Sequence, residues 1–406
     1  MRKRVVVTGM GAITCLGYGV KALWEGLIEG RSGISRITRF DPTGLRNEQA
    51  GEVKEEVLLS APLPDEDIDE ATLFAYLACL EAVNDAGLLE LSDEERLKVG
   101  LVFSTNFGGA SRWEEFASQW LSGEQIDAVL FEQFEFDFPT RYVAHKFGFF
   151  GPSITLSNSC SSGTSAIGVA IDLIRSGISD VVIAEGHDML SKFALGGLSI
   201  LGTITPEMIR PFDKRRSGTI FGEGAGALVL ESEEHARRRG AKIYAEAMGY
   251  ALNSNAYHLT APGKGGEGMI RVIMGALKDA QVAPQQVDYI NAHGTGTQLH
   301  DPEETFAIKS VLGSRAYEIP VSSIKAAVGH VMAGAGSVEA IATIKAINEG
   351  IVPPTLNYEE PDPECDLDYV PNKAREHKVN IAISISAGIG GNNSALVLAR
   401  YNGGEK

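Results

Sequence analysis

Gly163-Thr-Ser-Ala-Ile-Gly-Val-Ala-Ile-Asp-Leu-Ile-Arg-Ser-Gly177 and Gly336-Ser-Val-Glu-Ala-Ile-Ala-Thr-Ile-Lys-Ala-Ile-Asn-Glu-Gly350 are equally long, Gly-bounded stretches whose apolar residues recur at helical spacing. Each follows an apolar run and a turn of small residues. They begin at residues 163 and 336, close to half a chain length apart in a protein of 406 residues, which points to a duplicated half. Working outward, β-branched runs predict strands over 4–8, 99–104, 153–156, 181–184, 226–231, 242–249, 287–291, 381–386 and 394–400. Amphipathic patterns predict helices over 71–86, 160–176, 268–280, 302–312 and 336–349. This alternation reads as an α/β chain. A boundary falls in the charged stretch Glu233 to Gly240, giving halves of residues 1–240 and 241–406 without a low-complexity linker. Residues Gly30 to Pro139 are expected to have no counterpart in the second half and to cap a site or build a subunit contact.

Composition narrows the function. Hydrophobic residues make up 44%, enough for a sizeable core. With 36 Lys+Arg against 53 Asp+Glu the net charge is −17, which argues against nucleic acid or an anionic membrane surface as partner. Arg2-Lys3-Arg4 resembles a signal n-region, but Thr8, Gly9 and Gly11 end the apolar run too early. No run of about 18 apolar residues predicts a spanning helix. Cys15, Cys79, Cys160 and Cys365 form no disulfide framework and fit a reducing compartment, so a soluble cytoplasmic protein is expected.

Three residues stand out as candidates for chemistry. Cys160 lies in Thr155-Leu-Ser-Asn-Ser-Cys-Ser-Ser-Gly-Thr-Ser-Ala166, where a strand meets a helix N-terminus. The helix dipole and free backbone N–H groups would lower its pKa, and small neighbours leave room for an acyl group; a buried capping cysteine is the structural alternative. His293 lies in Tyr289-Ile-Asn-Ala-His-Gly-Thr-Gly-Thr297, after a strand and inside a Gly-rich turn, where α/β enzymes place catalytic groups. His330 has a similar setting, five residues after Lys325. Zinc fits poorly, since no Cys-x-x-Cys or His-x-x-x-His spacing exists and His293 with His300 is not a ligand pair on one helical face. Gly9-Met-Gly11 lacks the third glycine of a dinucleotide loop, and Gly263-Lys-Gly-Gly266 is no P-loop.

Further motifs accompany these residues: Ser323-Ile-Lys325 with Gly329-His330, Arg210-Pro-Phe-Asp-Lys214 with Gly222-Glu-Gly-Ala-Gly226, and Pro353-Pro-Thr-Leu-Asn357 with Cys365-Asp-Leu-Asp-Tyr-Val-Pro371. Together with the Cys160 turn and the Asn291–Thr297 turn they resemble the β-ketoacyl-[acyl-carrier-protein] synthases of the thiolase fold. The resemblance runs from Val5 to Leu398 and is closest to the synthase II branch and its type II polyketide relatives. It implies two pseudo-repeated βαβαβαββ halves in a five-layer α-β-α-β-α sandwich. It also implies a decarboxylative Claisen condensation: Cys160 accepts an acyl group, malonyl-carrier protein loses CO₂, and the carbanion extends the chain by two carbons. By the same resemblance His293 and His330 stabilise the enolate, and Lys325 and Glu339 form a supporting ion pair. The backbone N–H groups of Cys160 and Ala387 hold the acyl carbonyl oxygen, and Thr295 and Thr297 line the malonyl and pantetheine channel. The implied partner is an acyl carrier protein, which brings the phosphopantetheine; no cofactor or catalytic metal of the chain's own is implied. The family's dimer, homo or hetero, is expected.

The chain departs from the family pattern in two places. Where the family carries Asn-Ser-Phe-Gly-Phe-Gly-Gly, this chain has Ile385-Ser-Ala-Gly-Ile-Gly-Gly391, so Ala387 stands at the gate and Ile389 at the second aromatic position. Phe107 stands where a smaller residue commonly floors the acyl pocket, which should shorten the usable chain. The segments Asp65–Glu70 and Glu132–Phe138, usually basic, are acidic here, so docking would use other bases, such as Arg39, Arg46, Arg141 or Lys146, or an unusual carrier. Two other readings stay open: a non-condensing chain-length-factor-like subunit, against which Cys160 and both histidines speak, and a thiolase, which would need a second cysteine after Cys365.

Overall fold

The computed structural model describes residues 2–259, 261 and 263–403. Ten strands form the frame: β1 Val5–Thr14, β2 Gly100–Ser104, β3 Ser153–Leu156, β4 Val181–Asp188, β5 Gly224–Ser232, β6 Ala245–Ser254, β7 Tyr289–Asn291, β8 Val321–Ser322, β9 Ile381–Gly388 and β10 Asn392–Ala399. The helices that build the layers between them are α1 Glu70–Ala86, α2 Phe138–Phe147, α3 Ser162–Arg175, α4 Glu267–Ala280, α5 His300–Leu312 and α6 Ala335–Glu349.

Spatial order makes the duplication explicit. The first five strands run β1-β5-β4-β2-β3 and the second five β6-β10-β9-β7-β8, the same order shifted by five. In each half the last three strands of that order pair in parallel and the others antiparallel. β1 and β6 join the halves through two residue pairs, Val6 with Glu246 and Val7 with Ala245. Each half therefore reads βαβαβαββ, and α1, α2 and α3 correspond to α4, α5 and α6.

Burial assigns the layers. α3 and α6 touch strands of both halves and each other, and α6 is buried from Ala335 to Ile344. A helix enclosed on nearly every side lies inside a core, so these two form the central layer. Small residues line the face they share. Close approach requires this: a Cβ on Gly163 would meet the Ala333 carbonyl oxygen at 2.6 Å and the Ser337 nitrogen at 2.9 Å, and one on Gly336 the Thr164 hydroxyl at 2.3 Å. The outer faces carry separate apolar cores, one under α1 with Phe74, Leu77 and Val83, the other under α4 and α5 with Val272, Ile273 and Ile308. The result is a mixed α/β, thiolase-like sandwich of five layers.

Two expectations need correction. Residues Gly30 to Pro139 do have counterparts in the second half, since α1 matches α4 and β2 matches β7; the true insertions are 30–69 and 105–137. α1 escapes the pattern match because it is capped by buried Asp69, whose side chain accepts the Thr72 N–H at 3.0 Å, inside an acidic run that reads as surface. Arg39 is no docking base: its guanidinium is paired with fully buried Glu223. Among the described residues no helix is long and apolar enough to cross a membrane.

Candidate active site

Cys160 follows β3, His293 follows β7, His330 follows β8, and Ala387 to Ile389 stand at the end of β9. The C-terminal ends of parallel strands from both halves thus converge, as the ligand sites of α/β sheets do. Cys160, His293, His330, Thr295, Thr297, Ala387 and Ile389 all line one cavity of about 330 Å³.

The cysteine turn is tight. Ser159 sits at φ 63°, a left-handed conformation that costs energy for a residue with a Cβ. Local bonds hold it: Ser162 Oγ donates to the Ser159 carbonyl at 2.5 Å and accepts the Asn158 N–H at 2.8 Å. α3 then starts at Ser162, two residues past the thiol. The expected drop in the Cys160 pKa is not what dominates. Burial pushes the thiol up, while the Ser159 hydroxyl, the Ile389 backbone N–H and the charge of Lys325 pull it down. The backbone N–H bearing on the sulfur is that of Ile389.

The histidines are held differently. His330 Nδ1 accepts the Met332 N–H at 3.2 Å, which leaves Nε2 to carry the proton. Its ring stacks on Phe221 with centroids 5.4 Å apart, and its main chain is pinned by Ile220 and Gly222 at 2.8 and 2.9 Å. His293 has no such anchor on its ring, and its Nδ1 is buried without a partner. Its loop is fixed through Glu304, which accepts the His293 and Gly294 N–H groups at 2.7 and 2.8 Å. The two rings lie 5.3 Å apart at 84°. Burial, with Lys325 as the next cause, holds both imidazoles well below their usual range, so both are neutral at physiological pH.

Lys325 and Glu339 form an ion pair at 1% and 2% side-chain exposure. The positive charge thus sits behind the histidines rather than in the cavity.

Several functional neighbours escape sequence reasoning. Asp188, at the end of β4, accepts the Ala333 N–H at 2.8 Å on the His330 loop and the Asn106 and Phe107 N–H groups at 2.9 and 3.1 Å on the other. Burial pushes Glu304 up to about 8 and Asp301 up to about 6. Their signal in the sequence is Asp301-Pro-Glu-Glu304, acids on what must be a buried helix start. His300 is the other omission, weighed only as a metal ligand; it too lines the cavity. Phe107 does not line it. Instead Phe107 and Ile389 pack against a cluster of Leu190, Leu195, Leu198, Phe221 and Met332. Among the described residues no group of three or more His, Cys, Asp or Glu is arranged to hold a metal.

Fold and cavity together define the thiolase-like class of protein, with one cysteine and paired histidines on opposite pseudo-repeats. The chain matches the models "Beta-ketoacyl synthase, N-terminal domain" over residues 2–236 and "Beta-ketoacyl synthase, C-terminal domain" over residues 244–359, and it belongs to the beta-ketoacyl synthase family. The 3-oxoacyl-[acyl-carrier-protein] synthase 2 of Synechocystis sp. is 40% identical, across 98% of this chain and 99% of that one. The ishigamide ketosynthase/chain length factor superposes with a TM-score of 0.92 at 37% identity, covering 99% of this chain and 100% of that one. A type II polyketide ketosynthase, solved bound to the hexaketide and in complex with its acyl-carrier protein, gives 0.92 at 35% identity, covering 99% and 100%.

Proposed function

We propose that the protein is a 3-oxoacyl-[acyl-carrier-protein] synthase working in fatty-acid or type II polyketide and polyene biosynthesis, and that residues 1–240 supply the nucleophile while 241–406 supply the histidine pair. The observation that carries this is the single cavity shared by Cys160, His293 and His330. Cys160 takes the acyl group from the carrier's phosphopantetheine thioester. When malonyl-carrier protein loses CO₂, the electron pair moves onto the thioester oxygen, and two neutral imidazole N–H donors stabilise it by several kcal/mol. The enolate carbon attacks the Cys160 thioester, the C–S bond breaks, and the thiolate regains a proton from solvent. The N–H groups of Cys160 and of the Ala387–Ile389 stretch serve the acyl carbonyl. A chain-length-factor-like role is disfavoured by the intact Cys160.

Intact-mass spectrometry with acyl-carrier thioesters from C2 to C16, followed by malonyl-carrier protein, tests this. We expect an adduct on Cys160 that converts to a product two carbons longer. Because Phe107 and Ile389 fill the apolar cluster beside the cavity, short or conjugated chains should load best; preference for long saturated chains would refute the chain-length part.

The acidic segments oppose a carrier less than their sequence suggests. Glu66 is paired with Lys146, Asp67 with Arg112, and Glu135 and Asp137 with Arg141, in surface ion pairs that offset part of the negative charge. Arg141 and Lys146 are correspondingly engaged, and of the four bases considered Arg46 alone has no ion pair among the described residues. Exposed apolar residues flank the cavity: Leu201 and Leu299 line it beside exposed Gln298, and exposed Ile200 and Leu259 lie within two residues of lining positions. A carrier docking by apolar contact should bind with little change between about 0.05 and 0.5 M salt. Ile200→Glu and Leu259→Glu should each raise KM for the carrier-borne substrate about ten-fold, roughly the 1.4 kcal/mol lost with one apolar contact. A steep loss of affinity with salt would instead point to Arg46 and its neighbours. β3 leaves an open sheet edge, and separately the cap exposes Trp113, Trp120 and Phe131; both features support a dimer, in a cytoplasmic enzyme.

A further inference from the structure

Seven residues after His293 the chain enters α5, and the first residue of that helix, His300, returns its ring to the same cavity. The His300 and His293 rings meet edge-on, with centroids 4.9 Å apart at 70°. No hydrogen bond accounts for this placement. His300 Nδ1 is buried without a partner, and the Glu304 carboxylate oxygen facing it lies 3.7 Å away. His293 Nδ1 is unpartnered as well, so its ring is held by packing against His300 and His330.

Taking the condensing reading as given, we infer that His300 is a positioning residue: its ring seals His293 from water and keeps it a neutral hydrogen-bond donor, so that decarboxylation stays coupled to carbon–carbon bond formation. The chemistry makes the protonation state matter. A neutral imidazole donates a hydrogen bond to the enolate oxygen and cannot readily give up its N–H proton. An imidazolium is a good acid. It would protonate the enolate carbon after CO₂ leaves, converting malonyl-carrier and a solvent-derived proton into acetyl-carrier and CO₂, with the Cys160 acyl group left unextended.

The surroundings favour the neutral state. His293 is faced by Lys325 with its partner Glu339, by His330, by Cys160 across the cavity, and on α5 by His300, Asp301 and Glu304, whose carboxylate is engaged by backbone N–H groups. Burial is the largest cause of the low His293 pKa, ahead of Lys325, His300 and His330. Burial and Lys325 likewise bring His300 down to about 4, so it adds bulk without adding charge above that pH.

The test is the ratio of acetyl-carrier to β-ketoacyl-carrier made from malonyl-carrier by acyl-loaded enzyme, followed from about pH 5 to pH 8. In His300→Ala, water reaches His293, and the pH at which by-product appears should rise by about one unit. In His300→Asp, an anion beside the ring should raise it further. His300→Phe preserves the seal and should match the parent. A circular-dichroism spectrum and a melting temperature matching the parent's confirm that each variant is folded, readouts that mere loss of structure would move. An unchanged product ratio in the Ala and Asp variants, or a Phe variant as uncoupled as the Asp variant, overturns the role of His300. If the parent enzyme makes neither product from malonyl-carrier, the condensing reading itself fails, whatever residue stands at 300.

Discussion

Cys160→Ala is expected to abolish acyl loading and to lower condensation by at least about four orders of magnitude, the scale of losing a covalent nucleophile. Of the four cysteines only Cys160 lines the cavity. Cys79 and Cys365 are fully buried within the outer cores, and Cys15 lies against the Ala327 and Val328 carbonyls. Burial pushes Cys15 and Cys365 up to about 12, which leaves them thiols at neutral pH and poor substitutes. The histidines are untouched by the substitution, so malonyl-carrier should still lose CO₂; with no acyl group to attack, the enolate takes a proton from solvent and leaves as acetyl-carrier. The paired readout is an intact mass without adduct together with continued CO₂ release. An adduct persisting on another cysteine would sink the assignment. In the parent, iodoacetamide should modify Cys160 ahead of the other three. Its rate should climb with pH, because burial holds the thiol above its usual range and thiolate becomes populated only as pH rises.

What the sequence discloses and what it hides divide along physical lines. Cys160, His293 and His330 are legible because each follows an apolar run and sits among small residues, a pattern that places a side chain at the C-terminal end of a strand. The duplicated helices are legible because Gly163 and Gly336 serve the same steric need. Val321–Ser322 is illegible as a strand because two residues carry no period. The helix over Phe138–Phe147 is missed because Pro139 reads as a breaker, whereas at the start of a helix its absent N–H costs nothing. Charge misleads most. Arg39, Arg141 and Lys146 read as available bases and Asp65–Glu70 as a repulsive patch, yet the cap pairs most of them internally, a property of tertiary contacts that no local pattern contains. His300 is hidden for a related reason: its significance lies in a ring contact that arises only once α5 turns back over the cavity.

The second large effect is expected from Lys325→Met. Lys325 and Glu339 are almost fully buried; the lysine engages Glu339 Oε1, and Oε2 has no hydrogen-bond partner. Removing one member of a buried pair leaves an uncompensated charge, at a cost of about 3–5 kcal/mol. The sign of the pH dependence follows from Glu339. Burial already raises its pKa against the pull of Lys325, and without Lys325 it rises further above its unfolded value. The variant's deficit should therefore be small below the unfolded carboxyl range, where Glu339 is protonated in both states, and should grow as pH rises through that range. Denaturant unfolding at several pH values measures this, and a deficit that shrinks with rising pH would overturn it. Lys325→Met combined with Glu339→Leu removes both charges and should restore most of the stability. It should not restore chemistry. Lys325 is the second-largest cause holding His293 and His330 low, so the single and double variants should share one defect: an acid limb of decarboxylation moved towards the ordinary imidazole range. A double variant stable yet shifted in this way would separate the electrostatic role of Lys325 from its part in the fold; a double variant with the parent pH profile would show that the lysine acts through structure alone.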